Sequence, residues 1–397
     1  MAERPDDRSA APRGGLNRPA DMDSDDRSAA PRGGLNRPAD DMRLHPALRA
    51  LLADDWARVD PELPALLEML FARSAGEDWH KAGTFKDHLL GVCRSLTLWD
   101  QPREVRLLGL FHSVYSNEYV DLKLFDGGGN RAELATALGA EAERLIHTFC
   151  VMPRTLFTQR LLALDHLPES GMLLEREGAP PLHLPPRDVA IFAIATIADI
   201  AEQWHSWQDE IFAGYPFQRP RPLRDNWAAS LWPGPLKPTA TALSLLSRLA
   251  RVLSDLPEEW GLPTPPIFAR CTAVLDPAEE MAAVTLYWQA VTRGLPMAGL
   301  GPIHRALEAC IQHNPYVGEP RLMLAQLALT AGDWDMAGGH ARAGLDLLQD
   351  WGVAWDKRIA WSGWVAWARI LLQSAEARRW PESLTGLNGL GLVASGA

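Results

Sequence analysis

Residues 83–118 read GTFKDHLLGVCRSLTLWDQPREVRLLGLFHSVYSNE, and their spacing decides how the chain is read. Apolar residues recur every three or four positions on both sides of Trp99-Asp100-Gln101-Pro102. That period predicts two helices, Thr84–Leu98 and Pro102–Tyr115, joined by a short turn. Asp100, just ahead of Pro102, reads as the cap of the second helix. His88 stands 12 residues before Asp100 and His112 stands 12 after it. In an antiparallel hairpin each imidazole lies about 18 Å along its helix from the turn, so the two come level. Level histidines can share a metal ion; they can equally be a pair of satisfied core histidines.

A third residue bears on that choice. The segment VAIFAIATIADIAEQW, residues 189–204, carries Asp199 after ten uncharged positions that read as a buried helix. A carboxylate there is costly unless a cation or hydrogen-bond donors meet it. Either it is a metal ligand, or it is a helix-end aspartate paired with an arginine. His88, His112 and Asp199 together make an oxygen-tolerant donor set suited to one Mn, Fe or Zn. His80, eight residues before His88, is a candidate fourth ligand or a polar residue at a helix start. Tyr115 follows His112 by three positions, one turn away on the same side. It is a candidate hydrogen-bond donor to a bound substrate, or an ordinary core tyrosine. Lys81, Lys86, Arg94, Arg103, Arg106, Lys123 and Arg131 cluster in the same region and read mostly as solvated faces. Gly127-Gly128-Gly129-Asn130 has no following Lys-Ser/Thr and reads as a connector, so the phosphate-binding signal is weak.

The texture outside this stretch is also helical. Further helices are expected at Pro61–Arg73, Arg131–Phe149, Leu156–Leu167, Pro186–Trp207, Thr239–Ser254 and Asp276–Arg293, continuing to about Arg379. The proline-rich run Pro216–Pro238 interrupts them. At the start, DDRSAAPRGGLNRPAD occupies 6–21 and returns unchanged at 25–40, which reads as a duplicated, disordered tail. The expected organisation is therefore a tail (1–43), a helical metal-binding domain (44–215), a proline-rich connector with a helix (216–274), a second helical module (275–380) and a short tail (381–397). The fold class is all-α.

Composition narrows the function. Lys+Arg 39 against Asp+Glu 50 gives a net charge of −11, which speaks against general nucleic-acid affinity. A hydrophobic fraction of 47% is ample for a packed core. The longest uncharged run, Ser383–Ala397, is too short to span a bilayer. Four scattered cysteines with no CxxC pair, and a charged start without an apolar stretch, predict a cytoplasmic protein.

Residues 83–118 with ATIADIAEQ resemble the HD superfamily of helical metalloproteins, whose pattern is a His on one helix, a His-Asp pair on the next and a distant Asp on a late helix. The matching positions are His88, His112-Ser113 and Asp199. The nearest flavour is that of the alarmone hydrolases of the stringent response. LLGLFHSVYSNE and ALGAEAERLIHTFCVMPR look more narrowly like an uncharacterised bacterial domain family, a divergent branch of that superfamily. The resemblance spans about residues 70–205 and implies a metal-dependent hydrolase acting on a small molecule. Two departures qualify it. Ser113 stands where the superfamily has a metal-binding aspartate, which removes the bridge of a two-metal centre. The acidic pair of the alarmone hydrolases falls at Ser116 and Asn117, leaving Glu118, one position on, as the candidate base. A mononuclear site remains, serving hydrolysis or, as in non-haem iron oxygenases, oxygen chemistry. The alternative is a non-catalytic interaction protein with a degenerate domain.

Further on, GEPRLMLAQLALTAGDWDMAGGHARAGLDLLQDW, residues 318–351, is a 34-residue unit with Ala325, Gly332-Asp333-Trp334 and Ala337 at positions 8, 15–17 and 20. It resembles a tetratricopeptide repeat, which implies a module able to hold a protein partner or to cover the first domain. Trp351, Trp355, Trp361, Trp364 and Trp367 follow, with a helix expected from Trp355 to about Ala377. Their expected work is packing, the alternative being an aromatic groove for a ligand or partner.

Overall fold

The computed structural model describes residues 44–80, 83–121, 123–203, 242–270, 274–292 and 299–382. The duplicated tail, the whole proline-rich run and all but the first two residues of the C-terminal tail lie outside these residues. The architecture is all-α, with two small antiparallel hairpins of strands.

The elements run α1 (Leu48–Leu52), α2 (Trp56–Val59), α3 (Leu63–Phe71), β1 (Trp79–His80), β2 (Gly83–Thr84), α4 (Phe85–Leu98), α5 (Arg103–Phe111), α6 (Arg131–Leu138), α7 (Ala140–Val151), α8 (Arg154–Leu162), β3 (Met172–Arg176), β4 (Ala179–Leu184) and α9 (Pro186–Gln203). After the undescribed 204–241 come α10 (Ala242–Arg251), α11 (Pro266–Arg270), α12 (Pro277–Thr292), α13 (Leu300–His313), α14 (Glu319–Ala331), α15 (Trp334–Trp351) and α16 (Trp361–Glu376).

Helix α4 starts where the sequence says it should. Thr84 accepts the Asp87 N–H, and the Asp87 carboxylate accepts the Thr84 N–H, a reciprocal cap. Its buried face, Phe85, Leu89, Val92, Cys93 and Leu96, meets α5. Gly109 makes that contact close: a Cβ there would lie 2.4 Å from Leu96 Cδ1. The turn between the helices corrects the expected cap. Asp100 adopts a left-handed φ of 52° and bonds His45 Nε2 at 3.0 Å, while Pro102 takes the cap position with no side-chain bond. Helix α5 also stops at Phe111, four residues before Tyr115, because the chain turns at His112 to pair Tyr115 with Lys123. The expected helix 131–149 is two: Gly139, at φ 92°, breaks it.

The β3–β4 hairpin departs from the expected helical texture. Its register pairs Met172 with Leu184 around a turn at Gly178, φ 69°, and Met172 and Leu174 are buried while Leu173 is exposed. Alternation over so few residues, followed by two prolines, is too short to stand out in the sequence. Helix α9 runs through the middle of the N-terminal half. Nearly all of it from Asp188 to Asp199 is buried, packed by α4, α5 and α10.

In the C-terminal half each of α12 to α16 packs on the next. Glycine explains the closest approach: a Cβ on Gly318 would meet the Gly344 carbonyl at 2.5 Å, and one on Gly344 would meet Leu322 at 2.5 Å. The last helix begins at Trp361 rather than Trp355. Trp351, Trp361 and Trp364 are buried, each with its indole N–H on a backbone carbonyl, of Tyr316, Leu348 and Asp356 respectively. These three serve packing. A second polar cluster lies among these helices. Tyr287 donates to Asp356 at 2.7 Å, Arg358 pairs with Asp356, and Glu319 accepts the backbone N–H groups of Trp355 (2.6 Å) and Asp356 (3.1 Å). Burial pushes the Glu319 carboxyl up to about 7.

The two halves share one apolar core running from α1 to α16. Polar contacts reinforce the seam: Trp99 Nε1 donates to the Asp350 carbonyl at 2.6 Å, and Arg94 Nε to the Gly352 carbonyl at 2.7 Å. Gly352, at φ 68°, comes so near Ser95 that a Cβ would sit 2.8 Å from its Cα. No helix of the described residues is long and apolar enough to cross a membrane.

Candidate metal centre

His88 enters from the first turn of α4, His112 from the residue that ends α5, and Asp199 from the last turn of α9. The level placement inferred from the two 12-residue intervals is present in space. His88 Nε2 and His112 Nε2 lie 3.1 Å apart. Asp199 Oδ1 is 3.3 Å from the first and 3.7 Å from the second. All three side chains are buried, and together they form a group able to hold a metal ion.

The other faces of these groups decide what the inner faces present. His88 Nδ1 meets Glu202 Oε2 at 2.6 Å, and His112 Nδ1 meets the Gly109 carbonyl at 2.7 Å. Each Nδ1–H therefore has an acceptor, and each Nε2 faces the centre, where His88 Nε2 also lies 3.1 Å from the Gln203 amide nitrogen. Two Nε2 lone pairs at this distance repel unless a proton or a cation lies between them. Burial would push His88 down, but its bonds to Asp199 and Glu202 hold it up at about 9. Burial pushes His112 down to about 4. Without an ion, His88 is thus the proton-bearing member and His112 the acceptor. The Asp199 carboxyl, although buried, is held well below its ordinary value by Arg154 and the two histidines.

Arg154 pairs with Asp199 Oδ2, so the aspartate answers both readings of the sequence at once. One oxygen takes an arginine; the other faces the histidines and accepts from Gln203 Nε2 at 2.6 Å. The Arg154 guanidinium lies over the rings of Phe149 (4.5 Å) and Tyr119 (5.5 Å). Beside the cluster a cavity of about 540 Å³ opens, lined by His88, His112, Ser113, Arg154, Asp199 and Gln203 together with hydroxyl-bearing and aliphatic side chains.

The remaining expected site residues are placed differently. Tyr115 points away from the cavity and donates to Glu143 at 3.1 Å, since it is no longer on the helix that carries His112. Glu118 is exposed and accepts the Thr155 N–H at 2.9 Å, capping the start of α8; partial desolvation pushes its carboxyl up, but the bonds from Thr155 and Arg154 hold it low. Neither residue lines the cavity. His80 is in β1, but its side chain lies outside the described residues. Ser113 lines the cavity and its Oγ accepts from Asn117 at 2.8 Å.

Four residues at the site escaped the sequence reading. Glu202 and Gln203 follow Asp199 by three and four positions, one helical face, and that spacing was a usable signal. Arg154 had none: it was not among the cations singled out, and of those that lie in the described residues none lines the cavity. Lys357 had none either. Its Nζ crosses from the C-terminal half to the carbonyls of Glu202 (3.0 Å) and Ala201 (3.5 Å), capping α9 beside the ligands, and burial pushes it down to about 8.

Residues 69–154 match a family model described as a domain of unknown function, DUF6817. That stretch is about a fifth of the chain; it includes His88, His112 and Arg154 but stops short of Asp199. No curated protein and no solved structure matches the chain.

Proposed function

We propose that this protein is a metal-dependent enzyme with a divergent HD-type domain, binding one Mn, Fe or Zn ion through His88, His112 and Asp199 and hydrolysing a small molecule in the adjoining cavity. The observation that carries the reading is the convergence of two Nε2 atoms and one carboxylate oxygen at the wall of a cavity. The donor set fits a divalent transition ion, because both imidazoles have their Nδ1 side committed and Asp199 is ionised. Such an ion supplies Lewis-acid activation of water or of a substrate carbonyl. The chain's own part is to fix the ligands. Glu202 orients His88, the Gly109 carbonyl sets the His112 tautomer, and Arg154 keeps Asp199 charged and turned toward the histidines. Ser113 in place of an acidic ligand supports one ion rather than two. The tetratricopeptide-like module then acts as a brace, its Lys357 capping the helix that carries Asp199. Three buried free cysteines, Cys93, Cys150 and Cys310, fit a reducing cytoplasmic setting. The same three ligands would also suit iron-dependent oxygen chemistry.

The Arg154–Asp199 pair favours a second reading: a metal-free polar core in a protein whose work is to bind a partner through the helical module. Metal content decides between them. Full-length protein purified without chelator or immobilised nickel is expected to carry about one ion per chain. A His112→Ala variant is expected to carry none while keeping its far-ultraviolet circular dichroism. A parent protein without metal that takes none up on titration would overturn the enzyme reading.

A further inference from the structure

The last turn of α9 carries three of the groups at the centre. Asp199 faces both histidines, Gln203 Nε2 donates to Asp199 Oδ1 at 2.6 Å, and Glu202 Oε2 meets His88 Nδ1 at 2.6 Å. A helix is least secured at its end, where the final carbonyls lack intrahelical donors. Here the carbonyls of Glu202 and Ala201 accept from Lys357 Nζ at 3.0 and 3.5 Å. An ammonium in that place gains from charge-assisted bonds and from the negative end of the helix dipole.

Lys357 is delivered from a fixed support. Glu319 accepts the backbone N–H groups of Trp355 and Asp356 just ahead of it, and the Asp356 carbonyl accepts from Trp364 Nε1 at 2.9 Å. Upstream, the Gly352 carbonyl accepts from Arg94 of α4. Glu202 is seated from its other side by Gly91 of α4, where a Cβ would lie 2.7 Å from Glu202 Cγ. We infer that Lys357 is a positioning residue for the metal centre. It pins the main chain at Ala201 and Glu202, and so sets where the Glu202 carboxylate meets His88. None of the three ligands comes from the C-terminal half, yet through Lys357 that half governs how tightly the ion is held. This deepens the metal-binding reading and rests on it.

Cobalt(II) titration of the chelator-stripped full-length protein, followed by the visible absorption of the bound ion, tests the inference. Lys357→Met keeps the length of the side chain and removes the donor. Its cobalt affinity is expected to fall about 3–10-fold, less than for a residue that touches a ligand directly. The cobalt spectrum is expected to shift as well, and Lys357→Arg to restore both. Trp99→Phe loses the Trp99 bond to the Asp350 carbonyl on the same seam, so it is expected to lower the melting temperature and leave cobalt unaltered. Gly91→Ala favours the helix but displaces Glu202, so it is expected to weaken cobalt with no loss of melting temperature. That variant decides the matter should Lys357→Met fail to fold. Cobalt bound as tightly by either variant as by the parent, or weakened equally by Trp99→Phe, would overturn the inference and leave the metal site standing. A parent protein that binds no cobalt would overturn the metal-dependent function and this inference with it.

Discussion

Two of the ionic clusters buried among the described residues, one in each half, are built to opposite ends. In the C-terminal half every member of the cluster is answered: Tyr287 and Arg358 satisfy Asp356, and two backbone N–H groups satisfy Glu319. In the N-terminal half two imidazoles turn like atoms toward one another, and an arginine and a threonine keep unused donors. The first cluster ties the loop before α16 to α12 and α14. The second lies against a cavity. Buried charge by itself therefore does not set the two apart; the convergence of two imidazoles and a carboxylate beside a cavity does.

The contrast can be broken most severely in the saturated cluster. Asp356→Ala leaves Tyr287 and Arg358 without their partner, and the chain is expected to lose about 3 kcal/mol with metal uptake unchanged, as read by thermal unfolding beside metal analysis. A loss of metal with no loss of stability would show that the two clusters had been assigned the wrong way round. The next effect belongs to the open cluster. Glu202→Gln keeps the shape but weakens the hold on His88 Nδ1, so metal affinity is expected to fall about 10–100-fold while the melting temperature stays nearly constant. Competition with a chelator measures this, and an unaltered affinity would remove Glu202 from the site.

The smallest expected effect sharpens the comparison by pH. The Glu319 carboxyl titrates near 7 in the folded chain against an ordinary value of 4.5. Between those values the folded state holds the extra proton, so stability falls as pH rises through the window and levels off above it. The expected change is on the order of 1–3 kcal/mol, measured by urea unfolding at several pH values, and Glu319→Gln should flatten the slope. A slope that survives the substitution would place its origin elsewhere.

Most of the helices could be read from the chain because their signals are local. The Thr84–Asp87 cap and the three-and-four spacing through Leu96 need only a few neighbours, and the observed α4 begins and ends where they indicate. The errors came where a distant contact overruled a local preference. Asp100 looked like a cap but was drawn to His45. The chain leaves α5 at His112 to pair Tyr115 with Lys123, and that turned Tyr115 toward Glu143 and away from the cavity. Gly139 broke a helix whose side-chain period alone ran on unbroken.

The sequence by itself determined the helical class and the equal offsets of His88 and His112 from their turn, and it marked Asp199 as a carboxylate in need of company. These follow from residue type and period, which act over one or two turns. Only the tertiary structure decided what that company is. Arg154, Glu202 and Lys357 reach the centre from α8, α9 and the loop ahead of α16. Which side chain covers the far side of an imidazole or a carboxylate is set by how the helices pack. Packing depends on the summed burial of whole faces, which no single motif records.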